Sequence, residues 1–93
     1  MTTLSEIAAQ VSLYPLRQTH LSPTLAAALE IFRAHGLEVT PGAMSTTITG
    51  GDDAVFAALQ AAFRRAAEAG DAVMVVTFSN ACPLPPMATK DAE

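Results

Sequence analysis

The chain has 93 residues, of which 51% are hydrophobic and 15% charged, and its formal net charge is −4. The length holds one domain with a small core, and the charge fraction is well below the usual ~25%, so disorder over most of the chain is excluded. Five Lys and Arg against nine Asp and Glu form no basic stripe for nucleic acid.

No apolar run approaches the ~18 residues of a membrane span, and Met1 to Glu6 carries neither the basic nor the long apolar part of a signal peptide. The single cysteine, Cys82, has no internal disulfide partner. Both features lead to the expectation of a reducing, cytoplasmic setting without membrane or nucleic-acid partners.

Residues 1–6 read as an N-terminal extension. From Ile7 to Tyr14 the sequence alternates, with Ile7, Ala9, Val11 and Leu13 on one side and Ala8, Gln10, Ser12 and Tyr14 on the other. A period of two predicts a strand, which Pro15 is expected to end. Ser22-Pro23 then suits a helix start, with the serine as cap and proline in the first turn. Leu25, Ala28, Leu29 and Phe32 recur at helical spacing, and Gly36 suits the left-handed position after the helix.

Leu37 to Thr40 predicts a short strand, and Pro41-Gly42 a turn. Ala43 to Thr49 is rich in β-branched residues and predicts another strand, broken by Gly50-Gly51. Asp52 and Asp53 are favourable as caps and against the positive end of a second helix. Its expected apolar stripe is Val55, Phe56, Leu59, Phe63 and Ala66, and Gly70 closes it. Ala72 to Ser79 predicts the last strand, and the proline-containing tail, 83–93, is expected to be flexible.

The order β-α-β-β-α-β predicts an α+β, ferredoxin-like domain over residues 7–82. Its four-stranded antiparallel sheet carries both helices on one face. The other face is left uncovered. The last strand is apolar on both sides, Val73, Val75 and Thr77 against Met74, Val76 and Phe78. Exposed apolar surface marks interfaces, so a homo-oligomer, dimer or tetramer, packed through the sheet face is expected.

Candidate reactive groups are sparse. His20 and His35 lack metal-ligand spacing, and Cys82 has neither a CxxC partner nor a nearby base. Asp52-Asp53 is explained by the helix start, and Gly50-Gly51 matches no phosphate-loop pattern. Arg64-Arg65 reads as a solvated helix face. No catalytic residue, metal site or cofactor is expected. The hydroxyl run Ser45-Thr46-Thr47 is more informative: if Met44 and Ile48 point toward the helices, Thr46 points there too. Ser12, Tyr14, Ser79 and Asn80 add uncharged polar groups on or just beyond the outer strands. Hydroxyl and amide groups beside an apolar sheet suit a small, flat ligand.

Ser12-Leu13-Tyr14-Pro15-Leu16, Gly36-Leu37-Glu38-Val39 and Pro41-Gly42-Ala43-Met44-Ser45-Thr46-Thr47-Ile48-Thr49-Gly50 resemble the YkoF-related, MTH1187-type thiamine-binding family. Val55-Phe56 in the second helix and the strand ending Ser79-Asn80 are similar as well. The resemblance spans about Ile7 to Pro83. It implies a ferredoxin-like domain that oligomerises through its sheets. It also implies reversible, non-catalytic binding of thiamine or its hydroxymethylpyrimidine moiety in the cytoplasm, in vitamin trafficking or salvage. The ligand-binding residues placed on the matching segments are Ser12, Tyr14, Met44, Ser45, Thr46, Thr47, Ser79 and Asn80. Tyr14 and Met44 would form the flat wall, and the hydroxyl and amide groups would bond the pyrimidine. The alternative is a sheet-paired structural or regulatory oligomer with no small ligand.

Overall fold

A computed structural model of the chain describes residues 6–17, 21–43 and 45–81. His20, Met44, Cys82 and the tail lie outside these residues. Six elements follow in chain order: β1 (Glu6–Leu16), α1 (Leu21–Ala34), β2 (Glu38–Pro41), β3 (Thr46–Gly51), α2 (Asp52–Ala69) and β4 (Asp71–Ser79). The strands form one antiparallel sheet in the order β2-β3-β1-β4, the ferredoxin-like α+β arrangement that the pattern predicts.

Alternation assigns the faces of β1 as expected. Ala9 and Val11 are buried, and Ile7 and Leu13 pack against the same core, while Gln10 and Tyr14 are exposed on the opposite face. The register continues this division across the sheet. Ala9 stands between Ile48 and Phe78, and Val11 between Thr46 and Val76, all toward the helices. Ile48 is fully buried at the centre of that face. Burying an isoleucine side chain there contributes roughly 1.5–3 kcal/mol.

Pro15 does not end β1. The strand continues to Leu16, with Pro15 opposite Ala72. Pairing of β1 with β3 stops at Val11 opposite Thr46, so beyond that point β1 has, among the described residues, a strand neighbour on one side only, where a missing N–H is tolerated.

β3 begins at Thr46 rather than Ala43 and runs through Gly50-Gly51, which the composition marks as a break. Gly50 is there for space: a β-carbon on it would stand 2.6 Å from Cδ2 of Leu37. The β2–β3 link is closed by a 2.7 Å bond from the Gly42 N–H to the Ser45 carbonyl.

Both helices differ in detail from expectation. α1 begins at Leu21, so Ser22 lies inside the first turn instead of capping it. Pro23 is still accommodated there, because the first four N–H groups have no partner within the helix. In α2 the cap position is Gly51, in extended conformation and with no side-chain cap bond. Asp52 and Asp53 occupy the first turn, where their charge suits the helix dipole, and the Asp52 carboxylate accepts the Asp53 N–H at 2.7 Å.

The buried row of α2 is Val55, Ala58, Leu59, Ala62 and Ala66. Phe56 and Phe63, expected in that stripe, are exposed instead. Small residues on the inner row let α2 lie close to its neighbours, and the two large rings are turned to its flank.

Candidate functional site

A cavity of about 280 Å³ lies where the sheet opens. Its floor is β1 from Val11 to Leu13, one wall is the inner face of α1, and its rim is the β2–β3 link with Thr46. The opening follows from the register. The β1–β3 ladder ends at Val11 opposite Thr46, and beyond it the link turns away. The β1 backbone from Ser12 onward therefore faces the cleft instead of another strand. Its amide and carbonyl groups add directional hydrogen-bonding capacity to an otherwise apolar space.

The wall from α1 consists of Leu25, Ala28, Leu29 and Phe32. Phe32 and Ala28 are also core residues, whereas Leu25 is 40% exposed at the mouth. The helical spacing identified these positions as one apolar face but not as the side of a cavity, since core packing and cavity lining require the same residue types. Among the described lining residues none is titratable.

The eight sequence-predicted site residues divide among different places. Thr46 lies on the helix side of β3 beside Ile48 and lines the cavity. Ser12 and Ser45 also line it. The Ser45 hydroxyl accepts a 3.1 Å bond from the Gln10 amide on the open face, which fixes the rim from outside. Thr47, opposite Gln10, and Tyr14, opposite Val73, lie on the open sheet face, away from the cavity. Met44 is outside the described residues.

Ser79 and Asn80 are at the other end of the sheet. With Ile7, Asp52, Phe56 and Phe78 they line a second, shallower hollow. Ser79 is opposite Ala8 on one side of β1 and Thr46 opposite Val11 on the other; three residues at ~3.3 Å and two strand spacings of ~4.8 Å set Ser79 and Thr46 about 14 Å apart. The two hollows share no lining residue among those described. The sequence order places both segments at strand ends, but antiparallel connection puts those ends on opposite edges of the domain.

Among the described residues, no three His, Cys, Asp or Glu side chains converge, and no helix is long and apolar enough to cross a membrane. His35 is engaged locally, its Nδ1 at 2.9 Å from the Ile31 carbonyl at the end of α1.

Several solved structures share this fold. A hypothetical protein of Methanocaldococcus jannascii superposes with a TM-score of 0.75 at 24% identity, covering 82% of this chain and 80% of its own. A domain of unknown function (DUF77) from Bacillus cereus gives 0.72 at 19% identity, covering 82% and 76%. A Thermotoga maritima protein assigned provisionally to thiamine biosynthesis or salvage gives 0.69 at 16% identity, covering 80% and 82%. No curated protein sequence matches the chain at a significant level. The YKOF-related family model matches residues 6–85, a span that includes every element of the fold and both sides of the cavity, and the chain belongs to that family.

Proposed function

We propose that the cavity beneath α1 binds thiamine or its hydroxymethylpyrimidine moiety reversibly, without transforming it, and that the protein serves vitamin trafficking or salvage in the cytoplasm. The observation that carries this reading is an apolar cavity with Thr46 at its rim, set on the strand and hairpin segments that the family model covers. The provisional thiamine assignment of the Thermotoga protein supports the ligand class.

The cavity's size refines the ligand. About 280 Å³ is at the lower end of the roughly 300–1,000 Å³ of small-molecule sites. That suits the flat pyrimidine between α1 and β1, with any thiazolium part extending past Leu25 into solvent. The ring nitrogens and amino group pair with the Thr46 hydroxyl and the strand backbone from Ser12. Among the described residues the lining offers hydroxyl and backbone groups for neutral hydrogen bonds. A second copy of the chain is the partner we assign to the apolar part of the open sheet face.

Thermal shift with hydroxymethylpyrimidine, thiamine and thiamine phosphates tests the reading. A ligand at 100 times its Kd stabilises the fold by about 2.7 kcal/mol, and the pyrimidine alone should suffice. No shift with any of them at millimolar concentration, or chemical turnover of one of them, overturns it.

A further inference from the structure

The outer row of α2 carries Phe56, Gln60 and Phe63. Steps of four and three residues keep these side chains on one face of a helix. Both rings are exposed, and Phe56 stacks on Phe78 with 4.8 Å between centroids. Phe78 lies on the helix side of β4, in line with half-buried Met74 and Val76. The flank of α2 and that row of β4 are therefore the two sides of an apolar groove. It starts at the hollow that Phe56 and Phe78 share with Ser79 and Asn80. It runs to Phe63, about 10.5 Å from Phe56 along the helix axis.

The chain leaves β4 at the head of this groove. It bends at Asn80 and Ala81, where the Ser79 hydroxyl accepts the Ala81 N–H at 3.0 Å. The stretch that follows, Cys82-Pro83-Leu84-Pro85-Pro86-Met87, carries no charged residue and lies outside the described residues. Its sequence does not suit a further strand beside β4. Successive backbone nitrogens of a strand point to opposite edges, so either Pro85 or Pro86 would face the ladder without a donor. Its composition suits polyproline II, with three residues per turn and about 3.1 Å per residue. In that conformation Leu84 and Met87 are on one side, about 9 Å apart, close to the spacing of Phe56 and Phe63. Aromatic-lined grooves are what proline-rich segments dock into. Gln60, between the two rings, adds an amide for carbonyl groups that polyproline II leaves without internal bonds.

We infer that residues 82–87 dock in the α2–β4 groove of their own chain, Leu84 against Phe56 and Phe78, and Met87 against Phe63. The occupant is the chain's own segment because it begins at the groove. Leu84 is three residues past Ala81, a reach of about 9 Å, and Ala81 follows directly on Ser79 and Asn80 at the groove's head. Three further residues carry Met87 to the second ring. The open sheet face, with Val73, Val75 and Tyr14, is on the other side of β4 and takes no part in this contact. The inference is independent of the ligand and of the partner proposed above.

The test is NMR of the full chain under reducing conditions, with isotope-labelled and unlabelled protein mixed so that contacts within and between molecules are told apart. The expected result is a set of cross-peaks within one molecule, from the Leu84 methyls to the Phe56 ring and from the Met87 methyl to the Phe63 ring. The Leu84 and Met87 amides should show order parameters near the ~0.85 of rigid backbone rather than below ~0.6. Phe63→Ser should lower the value at Met87 more than at Leu84. The double variant Leu84→Ser, Met87→Ser changes nothing in the core, and should shift the ring signals of Phe56 and Phe63 while those of Ile48 stay in place. Order parameters below ~0.6 throughout residues 82–87 overturn the docking. So do ring cross-peaks found only between labelled and unlabelled molecules, which would give the groove to another copy, and a Phe63→Ser variant without effect at Met87.

Discussion

Phe32 and Leu37 are joined through both backbone and core: the Leu37 N–H reaches back to the Phe32 carbonyl at 3.3 Å, and both side chains are buried. Between them the Gly36 N–H bonds the Arg33 carbonyl at 2.9 Å. This pair of bonds is the Schellman closure of α1, with the apolar contact that often accompanies it. It requires Gly36 at φ 78°. A β-carbon on Gly36 would meet nothing within 4 Å, so a side chain there costs backbone strain alone. Gly36→Ala is expected to lower stability by about 1–2 kcal/mol, and Gly36→Asn to lose less, because asparagine tolerates the left-handed region. Urea unfolding of the two variants measures the difference. Equal losses would assign the cost to something other than the dihedral.

The cavity reading makes its own prediction at Thr46. Thr46→Val keeps the β-branched shape that suits β3 and removes one hydroxyl. A neutral hydrogen bond is worth about 0.5–1.5 kcal/mol, so affinity for hydroxymethylpyrimidine should fall about 2- to 12-fold at nearly unchanged melting temperature. Leu25→Trp places bulk at the mouth from a position already 40% exposed, and is expected to weaken binding of the whole vitamin more than that of the pyrimidine alone. Calorimetric titration of both ligands against both variants checks this. Unchanged affinity in Thr46→Val removes that hydroxyl from the site.

The sequence makes some of this legible and hides the rest for identifiable reasons. Period-two alternation assigns the faces of β1 correctly, because each residue's side follows from parity alone. The same argument places Thr46 beneath the helices once Ile48 is in the core. Where β3 starts is not legible: the sequence pattern runs the strand from Ala43, but the Gly42 N–H closes on the Ser45 carbonyl and the ladder begins at Thr46. Gly50 reads as a breaker because composition cannot show that Leu37 occupies the space of its β-carbon. The separation of Ser79 and Asn80 from Thr46 depends on register, which the order of elements does not provide.

α2 offers a test in which size and importance run in opposite directions. Ala62 is fully buried, whereas Phe63 is 40% exposed. Ala62→Leu forces three extra carbons into a close-packed seam and is expected to cost about 1–3 kcal/mol or more. Phe63→Ser removes an entire ring from the flank and should change the stability of the dilute monomer by only about 0.5 kcal/mol. Chemical unfolding at low protein concentration compares them. A larger loss for Phe63→Ser would return that ring to the core stripe that the helical spacing first suggests.

Phe56 and Phe78 join α2 to β4 at the surface, with ring centroids 4.8 Å apart and planes inclined by 27°. Such stacked pairs contribute about 0.5–1.5 kcal/mol beyond the area they bury. Both rings are about half exposed, so the lower part of that range applies within one chain. A double-mutant cycle of Phe56→Leu and Phe78→Leu isolates the stacking, since leucine retains most of the apolar contact. The expected coupling is about 0.5 kcal/mol, read from urea unfolding of the parent chain, the two single variants and the double variant. A coupling indistinguishable from zero would assign the contact's whole worth to the apolar area it buries, which leucine supplies as well as phenylalanine.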